Sequence, residues 1–374
     1  MIALAALSLL IWLGLIFARG MFWLARERDD RNQPADPNIW PSVTAVVPAR
    51  DEADVIARSL GSLLAQNYPG DFKIILVDDQ SSDATKAIAQ TLDTTNRLTV
   101  LSGSNRPDGW TGKLWAVKQG VAHSASSDYL WLTDADIAHS PDNLRKLIAR
   151  AEAGKLVLVS LMAKLHCTSF AEKLMIPAFV FFFAMLFPFA KVNNPKSRIA
   201  AAAGGCMLIR REALERAGNI DAIRHAIIDD CAMGRALKGQ GRTWLGLTTR
   251  ATSIRPYTGL NEIRHMISRS AFAQLDYSPL MLLGTVIGMA LLFILPPLLA
   301  LFASGPAQIL GLLSWLVMIV AFQPMLRFYT LSPLWGVLLP VIGTLYTTFT
   351  CDSALQFWRG KGGMWKGRAQ AIRT

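Results

Sequence analysis

The chain has 374 residues, 52% of them hydrophobic and 17% charged, with 38 Lys plus Arg against 27 Asp plus Glu and a formal net charge of +11. With a mean hydropathy of +0.31, this composition excludes a disordered or collagen-like chain and is more apolar than an ordinary soluble domain. Four cysteines, Cys167, Cys206, Cys231 and Cys351, match neither a disulfide framework nor a zinc spacing. They read as reduced thiols in a chain whose bulk faces the cytoplasm.

Ile2 to Ala18 carries no charged side chain, and the apolar run continues past Arg19 through Met21, Phe22, Trp23 and Leu24. A bilayer span needs about 20 apolar residues, so residues 1–25 read as an N-terminal transmembrane anchor. A cleaved signal peptide is the alternative, but it wants a positive residue before the apolar core and none precedes Ile2. Arg19, Arg26, Arg28 and Arg31 follow this span, and Arg264 and Arg269 precede the next large apolar block. By the positive-inside rule the body between them lies in the cytoplasm and the amino terminus outside.

Within residues 41–275 strand and helix signals alternate from Pro41 to about Tyr257. Val43 to Val47 is a β-branched run, followed by Val55, Ile56, Leu60, Leu63 and Leu64 at helical spacing. Lys73 to Val77 predicts a second strand, and Ser81 or Ser82 is placed to cap a helix from Asp83 to Leu92. Arg97 to Leu101 predicts a strand, Gly112 to Ala122 a helix and Tyr129 to Thr133 a strand, and Ser140-Pro141-Asp142 starts a further helix. Repeated βα units imply a mainly parallel sheet covered by helices, with ligands beyond the carboxyl ends of the strands.

Three predicted strands end in carboxylates on that rim: Pro48-Ala49-Arg50-Asp51-Glu52 after the first, Asp78-Asp79 after the second, and Asp134-Ala135-Asp136 after the Tyr129 strand. Carboxylates gathered in a cleft repel one another, which a divalent cation and positive side chains relieve. Asp134 and Asp136 have the spacing to hold Mg²⁺ or Mn²⁺ against a diphosphate, with Arg50 and Lys113 adding positive charge. No Walker lysine loop or Gly-x-Gly-x-x-Gly fingerprint follows any strand, against a kinase, an ATPase or a dinucleotide enzyme.

Leu174 to Ala190, with Phe179, Phe181, Phe182 and Phe183, is uncharged except at its flanks but broken by Pro177 and Pro188. It reads as an interfacial or re-entrant piece at residues 174–190 that could present a lipid acceptor. Between Asp276 and Asp352 the only charged residue is Arg327, leaving room in residues 277–351 for two or three membrane segments. Breaks fall at Ser304-Gly305-Pro306 and from Arg327 to Pro333, and Pro333 and Pro340 argue for two full passes plus a re-entrant piece. Residues 352–374 form a basic tail, where Arg359, Lys361, Lys366, Arg368 and Arg373 favour the cytoplasmic side.

The run Val46-Val47-Pro48-Ala49-Arg50-Asp51-Glu52, Val77-Asp78-Asp79-Gln80-Ser81-Ser82-Asp83, Gly109-Trp110-Thr111-Gly112-Lys113 and Thr133-Asp134-Ala135-Asp136 resembles glycosyltransferase family 2 in content and order. Within that family it is similar to the hopanoid-biosynthesis-associated and carotenoid-glycosylating membrane members. The resemblance implies the A-type nucleotide-diphospho-sugar transferase fold, with Pro48, Arg50, Glu52, Asp78 and Asp79 at the nucleoside. It also implies Asp134 and Asp136 at the metal and diphosphate. Gly204-Gly205-Cys206 resembles the family's glycine-containing strand beside donor sugar and acceptor, which puts Gly205 in the nucleotide-sugar site. A plain glycine turn fits those residues equally.

Ile228-Asp229-Asp230 resembles the family's acidic pair, whose second member is the base, although Asp229 stands where Glu is usual. Capping of a helix beginning near Cys231 is the plain role open to either Asp. The Gln-x-x-Arg-Trp motif of processive synthases is here Met266-Ile267-Ser268-Arg269-Ser270, so only Arg269 persists, to meet the leaving diphosphate or to anchor at headgroups. What the resemblance implies is a metal-dependent hexosyltransferase of the cytoplasmic membrane. It moves a sugar from a nucleotide-sugar, of UDP type, to an isoprenoid or hopanoid lipid. A processive polysaccharide synthase and a non-catalytic nucleotide-sugar-binding membrane adaptor are the rivals. No basic stripe interleaved with aromatics points to nucleic acid, the five histidines show no ligand spacing, Trp110 either stacks near the donor or packs its loop, and no protein partner is indicated.

Overall fold

The computed structural model describes residues 1–92, 96–124 and 127–363, arranged in two compact units between which the chain passes repeatedly. Of the described residues, those within 27–166 and 191–256 form one unit and those within 1–26, 167–190 and 257–363 the other.

The first unit is built on an eight-stranded sheet: β1 (Val43–Ala49), β2 (Phe72–Asp78), β3 (Leu98–Ser102), β4 (Tyr129–Leu132), β5 (Ile137–His139), β6 (Leu156–Lys164), β7 (Met207–Arg210) and β8 (Arg242–Ser253). Their order across the sheet is β3-β2-β1-β4-β7-β6-β8-β5. The β1–β2, β1–β4, β2–β3 and β6–β8 pairs are parallel, whereas β7 runs antiparallel to β4 and β6, and β5 antiparallel to β8.

Period-two alternation sorts each central strand between two layers. Val43, Ala45 and Val47 of β1 pack with Ile56, Leu60, Leu144 and Leu147 of helices 56–64 and 143–154, while Val46 packs with Leu114 and Val117 of helix 112–123. Trp131 of β4 joins the first layer, and Leu130 and Leu132 join the second. With both faces covered, the central strands need no polar face, which is why β1 reads as a near-continuous apolar run. Pro48 sits inside β1 without breaking it because β4 ends at Leu132, opposite Val46, so no neighbour on that side needs the missing N–H.

The predicted strands and helices up to residue 154 are present with small shifts at their ends. One cap differs. The helix expected from Asp83 begins at Thr85, whose N–H donates to Asp83 Oδ1 at 2.9 Å, and Ser81 and Ser82 bond to Asp51 instead. Strands β5, β6 and β8 add to those expected, and β7 follows the Gly204-Gly205-Cys206 run in which a glycine-containing strand was expected.

The second unit holds the apolar helices. Among the described residues three of them, Pro279–Phe302, Pro306–Phe328 and Pro333–Trp358, are long and apolar enough to cross a membrane. Pro333 and Pro340 do not interrupt the last of these: each stands at the start of a helical segment, where a missing N–H is harmless. The N-terminal helix, Ile2–Ala18, is shorter than the anchor expected over residues 1–25. Gly20 and Met21 turn the chain in the left-handed region. Arg19 then donates to the carbonyls of Met185 and Leu186, which the end of helix Phe170–Leu186 leaves unpaired.

That 170–186 helix covers most of the segment read as interfacial. A capping box of Ser169 and Glu172 starts it, and it carries Pro177 within. Phe181 packs on Phe22 and Phe322, and Phe182 on Phe293 and Tyr346. The segment is therefore a packed member of the helical unit. Helix 279–302 contains a π-helical stretch at Ala290–Ile294, and Ser8 Oγ and Trp12 Nε1 of the N-terminal helix donate to its Leu291 and Leu292 carbonyls at 2.9 and 3.0 Å. Arg359 and Lys361 are exposed at the end of the last helix, and Lys366, Arg368 and Arg373 lie outside the described residues.

Candidate active site

The loops after β1 and β2 are bonded into one piece. Asp51 N–H donates to Ser81 Oγ at 3.0 Å, Asp51 Oδ1 accepts from Ser82 N–H at 2.7 Å, and Glu52 N–H donates to Thr85 Oγ1 at 2.7 Å. Arg50 donates to the Asp79 carbonyl at 2.6 Å. These bonds hold Asp51 and Gln80 at φ of 50° and 56°, a left-handed conformation uncommon for non-glycine residues. Arg50, Glu52, Asp78 and Asp79 are thereby brought to one rim of the sheet, with Glu52, Asp78 and Asp79 buried. Asp78 Oδ1 is buried with no hydrogen-bond partner, a polar atom whose burial is costly until a donor meets it.

Across β1, Lys113 begins the helix 112–123 that follows the Gly109-Trp110-Thr111-Gly112 loop. Its ammonium lies 2.8 Å from Asp134 Oδ1 and 3.0 Å from Asp229 Oδ2. Burial works against its charge, but these two carboxylates outweigh that and hold the ammonium well above the ordinary lysine range. Asp229 and Asp230 open the helix 229–238. Asp230 Oδ2 accepts from Gly204 N–H at 3.1 Å and Oδ1 from Cys231 N–H at 2.7 Å. Burial, and then the charge of Asp229, push the Asp230 carboxyl up to about 6, against the opposing pull of Lys113 and the two N–H groups.

Pro48, Lys113, Thr133, Asp134, Gly204 and Asp229 line one pocket. Gly204, rather than Gly205, faces it: a Cβ on Gly204 would stand 3.4 Å from Lys113 Nζ and 3.6 Å from Asp230 Oδ2, whereas one on Gly205 would meet Ala163 and Ile137 in the core.

Arg255 was not anticipated. β8 pairs antiparallel with β5 so that Ser253 opposes Ile137, and the chain then carries Arg255 beside the turn that precedes β5. Its Nε is 3.2 Å from Asp136 Oδ2, another nitrogen pairs with Glu52, and a third is 3.7 Å from Asp54 Oδ2. One guanidinium thus joins the nucleoside-side carboxylates to the Asp134-Ala135-Asp136 turn. The available signal was the threonine-rich run Arg242–Ser253 leading into Arg255-Pro256, since a residue before proline is biased to extended backbone. Arg269 belongs to the helical unit, where it is exposed at the end of helix 260–268.

Among the described residues no group of three or more His, Cys, Asp or Glu side chains forms a metal cage. Asp134 and Asp136 supply oxygen donors of the kind a hard divalent cation takes when substrate phosphates and water complete its coordination. The donor chemistry fits that mode of binding, with Lys113 and Arg255 the cations that meet these carboxylates here.

Residues 44–218 match the family described as "Glycosyl transferase family 2". Succinoglycan biosynthesis protein ExoO of Rhizobium meliloti is 36% identical over 123 residues, 33% of this chain and 33% of that protein. A 4,4'-diaponeurosporenoate glycosyltransferase of Staphylococcus aureus is 35% identical over 97 residues, 26% of this chain and 24% of that protein. The chain therefore matches a third or less of the length of these relatives. The fold is similar to that of the mannosyltransferase PcManGT from Pyrobaculum calidifontis, solved with GDP-Man and Mn²⁺, at a TM-score of 0.55 and 19% identity over 95% of this chain and 99% of that one.

Proposed function

We propose that the chain is a membrane-bound inverting hexosyltransferase that moves a sugar from a nucleotide-sugar, of UDP type, to a hydroxyl of an isoprenoid- or hopanoid-related lipid. The observation that carries the reading is the joined set Asp134, Lys113, Asp229 and Asp230, in which a carboxyl of raised pKa stands beside a cation and a two-glycine turn.

In this reading Asp230 accepts the proton of the acceptor hydroxyl as that oxygen attacks the anomeric carbon, and the bond to the diphosphate breaks in line with no covalent enzyme intermediate. A carboxyl poised near 6 is ionised at neutral pH yet basic enough to take that proton. Asp229 holds Lys113, and Lys113 is positioned to stabilise charge that builds on the leaving diphosphate. Pro48, Arg50, Glu52, Asp78 and Asp79 receive the nucleoside, and Gly205 shapes the turn beneath the sugar. Asp134 and Asp136 would hold Mg²⁺ or Mn²⁺, which when bound neutralises diphosphate charge. The Mn²⁺ and GDP-Man in the similar PcManGT structure support a cation and a nucleotide-sugar.

The apolar helices and the name of the Staphylococcus aureus relative support an apolar acceptor and a place in a membrane, and the arginines that flank the apolar segments favour the cytoplasmic side for the sheet unit. The name of the Rhizobium meliloti relative favours a second reading, assembly of a polysaccharide.

Membranes containing the protein are supplied with radiolabelled UDP- and GDP-sugars, with Mn²⁺ or with EDTA, beside Asp230→Asn and Asp136→Ala. Metal-dependent label in extractable lipid, lost in both variants while Asp230→Asn still binds nucleotide, is the expected result. Label in insoluble polymer would favour the second reading, and nucleotide binding without transfer across an acceptor panel would leave a non-catalytic adaptor.

A further inference from the structure

We propose that Thr133 and His139 are positioning residues for Asp230, acting through a directional hydrogen-bond chain that ends on the Gly204–Gly205 turn. The proposal rests on reading Asp230 as the base.

The Thr133 hydroxyl donates to the Gly205 carbonyl at 2.9 Å, so its lone pair is left to accept from His139 Nε2 at 2.9 Å. His139 then carries its proton on Nε2, and Nδ1 accepts from the Asn143 amide at 3.0 Å. Each member is buried, Thr133 at 2%, His139 at 5% and Asn143 at 0% exposure, and the imidazole packs on Trp131 with ring centroids 4.6 Å apart. Burial pushes the His139 imidazole down to about 3, which keeps the neutral form the chain requires.

The far end of the chain is the turn that touches the reacting groups. Gly204 N–H donates to Asp230 Oδ2, and Gly204 lies against Lys113 Nζ. Two successive glycines have more backbone freedom than any other pair and cannot hold a conformation by themselves. From one side Ser160 Oγ, which accepts from Ala203 N–H at 2.8 Å, fixes the entry to the turn. From the other, Thr133 fixes its exit, and His139 and Asn143 fix Thr133. Burying three polar side chains costs stability, the more so because Asn143 Oδ1 is buried with no hydrogen-bond partner. Valine at 133 and phenylalanine at 139 would fill the same space without that cost, so packing alone gives no account of the polar pair.

The test compares Thr133→Val, which removes the hydroxyl and keeps the shape, with Thr133→Ser, which keeps the hydroxyl. Two readouts are taken on the full chain in detergent: sugar transfer, and hydrogen–deuterium exchange of the peptide spanning residues 200–206. Thr133→Val is expected to lower kcat by about tenfold to a hundredfold with donor KM unchanged, as small misplacements of a reacting group do. It is also expected to speed exchange at the turn, and Thr133→Ser to restore both. Should Thr133→Val not fold, His139→Phe, which keeps a ring against Trp131, takes its place. Exchange at residues 200–206 unchanged in the valine variant, or kcat and KM altered in step, would overturn the proposal. If the wild type transfers no sugar to any acceptor, the reading of Asp230 fails, while the exchange data still decide whether the chain holds the turn.

Discussion

The Nε of Arg255 lies 3.2 Å from Oδ2 of Asp136, although 119 residues separate them in the chain. The same guanidinium pairs with Glu52, which is buried. Arg255→Gln leaves Glu52 and Asp136 without that charge. We expect a loss of about 1–2 kcal/mol, since both carboxylates are largely shielded and one cation serves them together. Denaturant unfolding of the solubilised protein at neutral pH measures it, and an unfolding midpoint equal to wild type would contradict this role for Arg255.

The raised Asp230 carboxyl sets a pH dependence. As a base it works ionised, so kcat/KM should rise as pH increases through about 6. Asp229→Asn removes a neighbouring negative charge, so the acid limb should move to lower pH. For stability the sign is the reverse of the common carboxylate case. The folded pKa lies above the unfolded value, so the contribution of Asp230 is full below the ordinary carboxyl range and is lost as pH rises to about 6. A limb that stays in place in Asp229→Asn would assign it to another group.

Gly234 carries the helix of Asp229 and Asp230 close to the chain behind it. A Cβ there would stand 2.5 Å from the carbonyl carbon of Ala201 and 2.9 Å from the nitrogen of Ala202, backbone atoms that cannot rotate away. Gly234→Ala should cost about 1–3 kcal/mol and reduce transfer as the helix shifts. Gly204→Ala meets its neighbours at ordinary contact distances, so it should leave the unfolding midpoint unchanged and alter transfer alone. Comparing the two variants by melting and by rate separates a displaced helix from a crowded site.

In the helical unit, Ser8 and Trp12 donate to the carbonyls of Leu291 and Leu292, which precede Pro296 and Pro297, residues with no N–H to offer back to that turn. A free carbonyl among apolar side chains has no water to turn to. Ser8→Ala combined with Trp12→Phe should destabilise the reconstituted protein by about 1–2 kcal/mol. Unfolding in mixed micelles checks this, and an unchanged midpoint would reduce these contacts to incidental packing.

Much of the fold was legible because β1, β2 and β4 are buried on both faces, so Val43 to Val47 and Tyr129 to Thr133 announce themselves as apolar runs between turn residues. The carboxylates of the rim were legible for the same reason, since they end those runs. Pairings made at long range were not. Arg255 becomes a partner of Asp136 only through the β5–β8 register, and no local pattern encodes which strand lies beside which. The helix start at Thr85 was misjudged because Ser81 and Ser82, ordinary capping residues, are drawn to Asp51 across the loop. Gly205 and Gly204 look alike in sequence, and only their backbone directions decide which one faces Lys113.

The placement of β7 has a consequence for how the protein is made. β7 is the middle strand between β4 and β6, yet it follows both in the chain, and the apolar helix 170–186 is synthesised before it. Until Met207 to Arg210 emerge from the ribosome, β4 and β6 each present an unpaired edge, and by then the nascent chain has already had to dispose of a hydrophobic helix. The two halves of the sheet are joined only when β7 arrives between them, and β8 comes later still to cover β6 and β5, so the polypeptide is most exposed to mispairing during that interval.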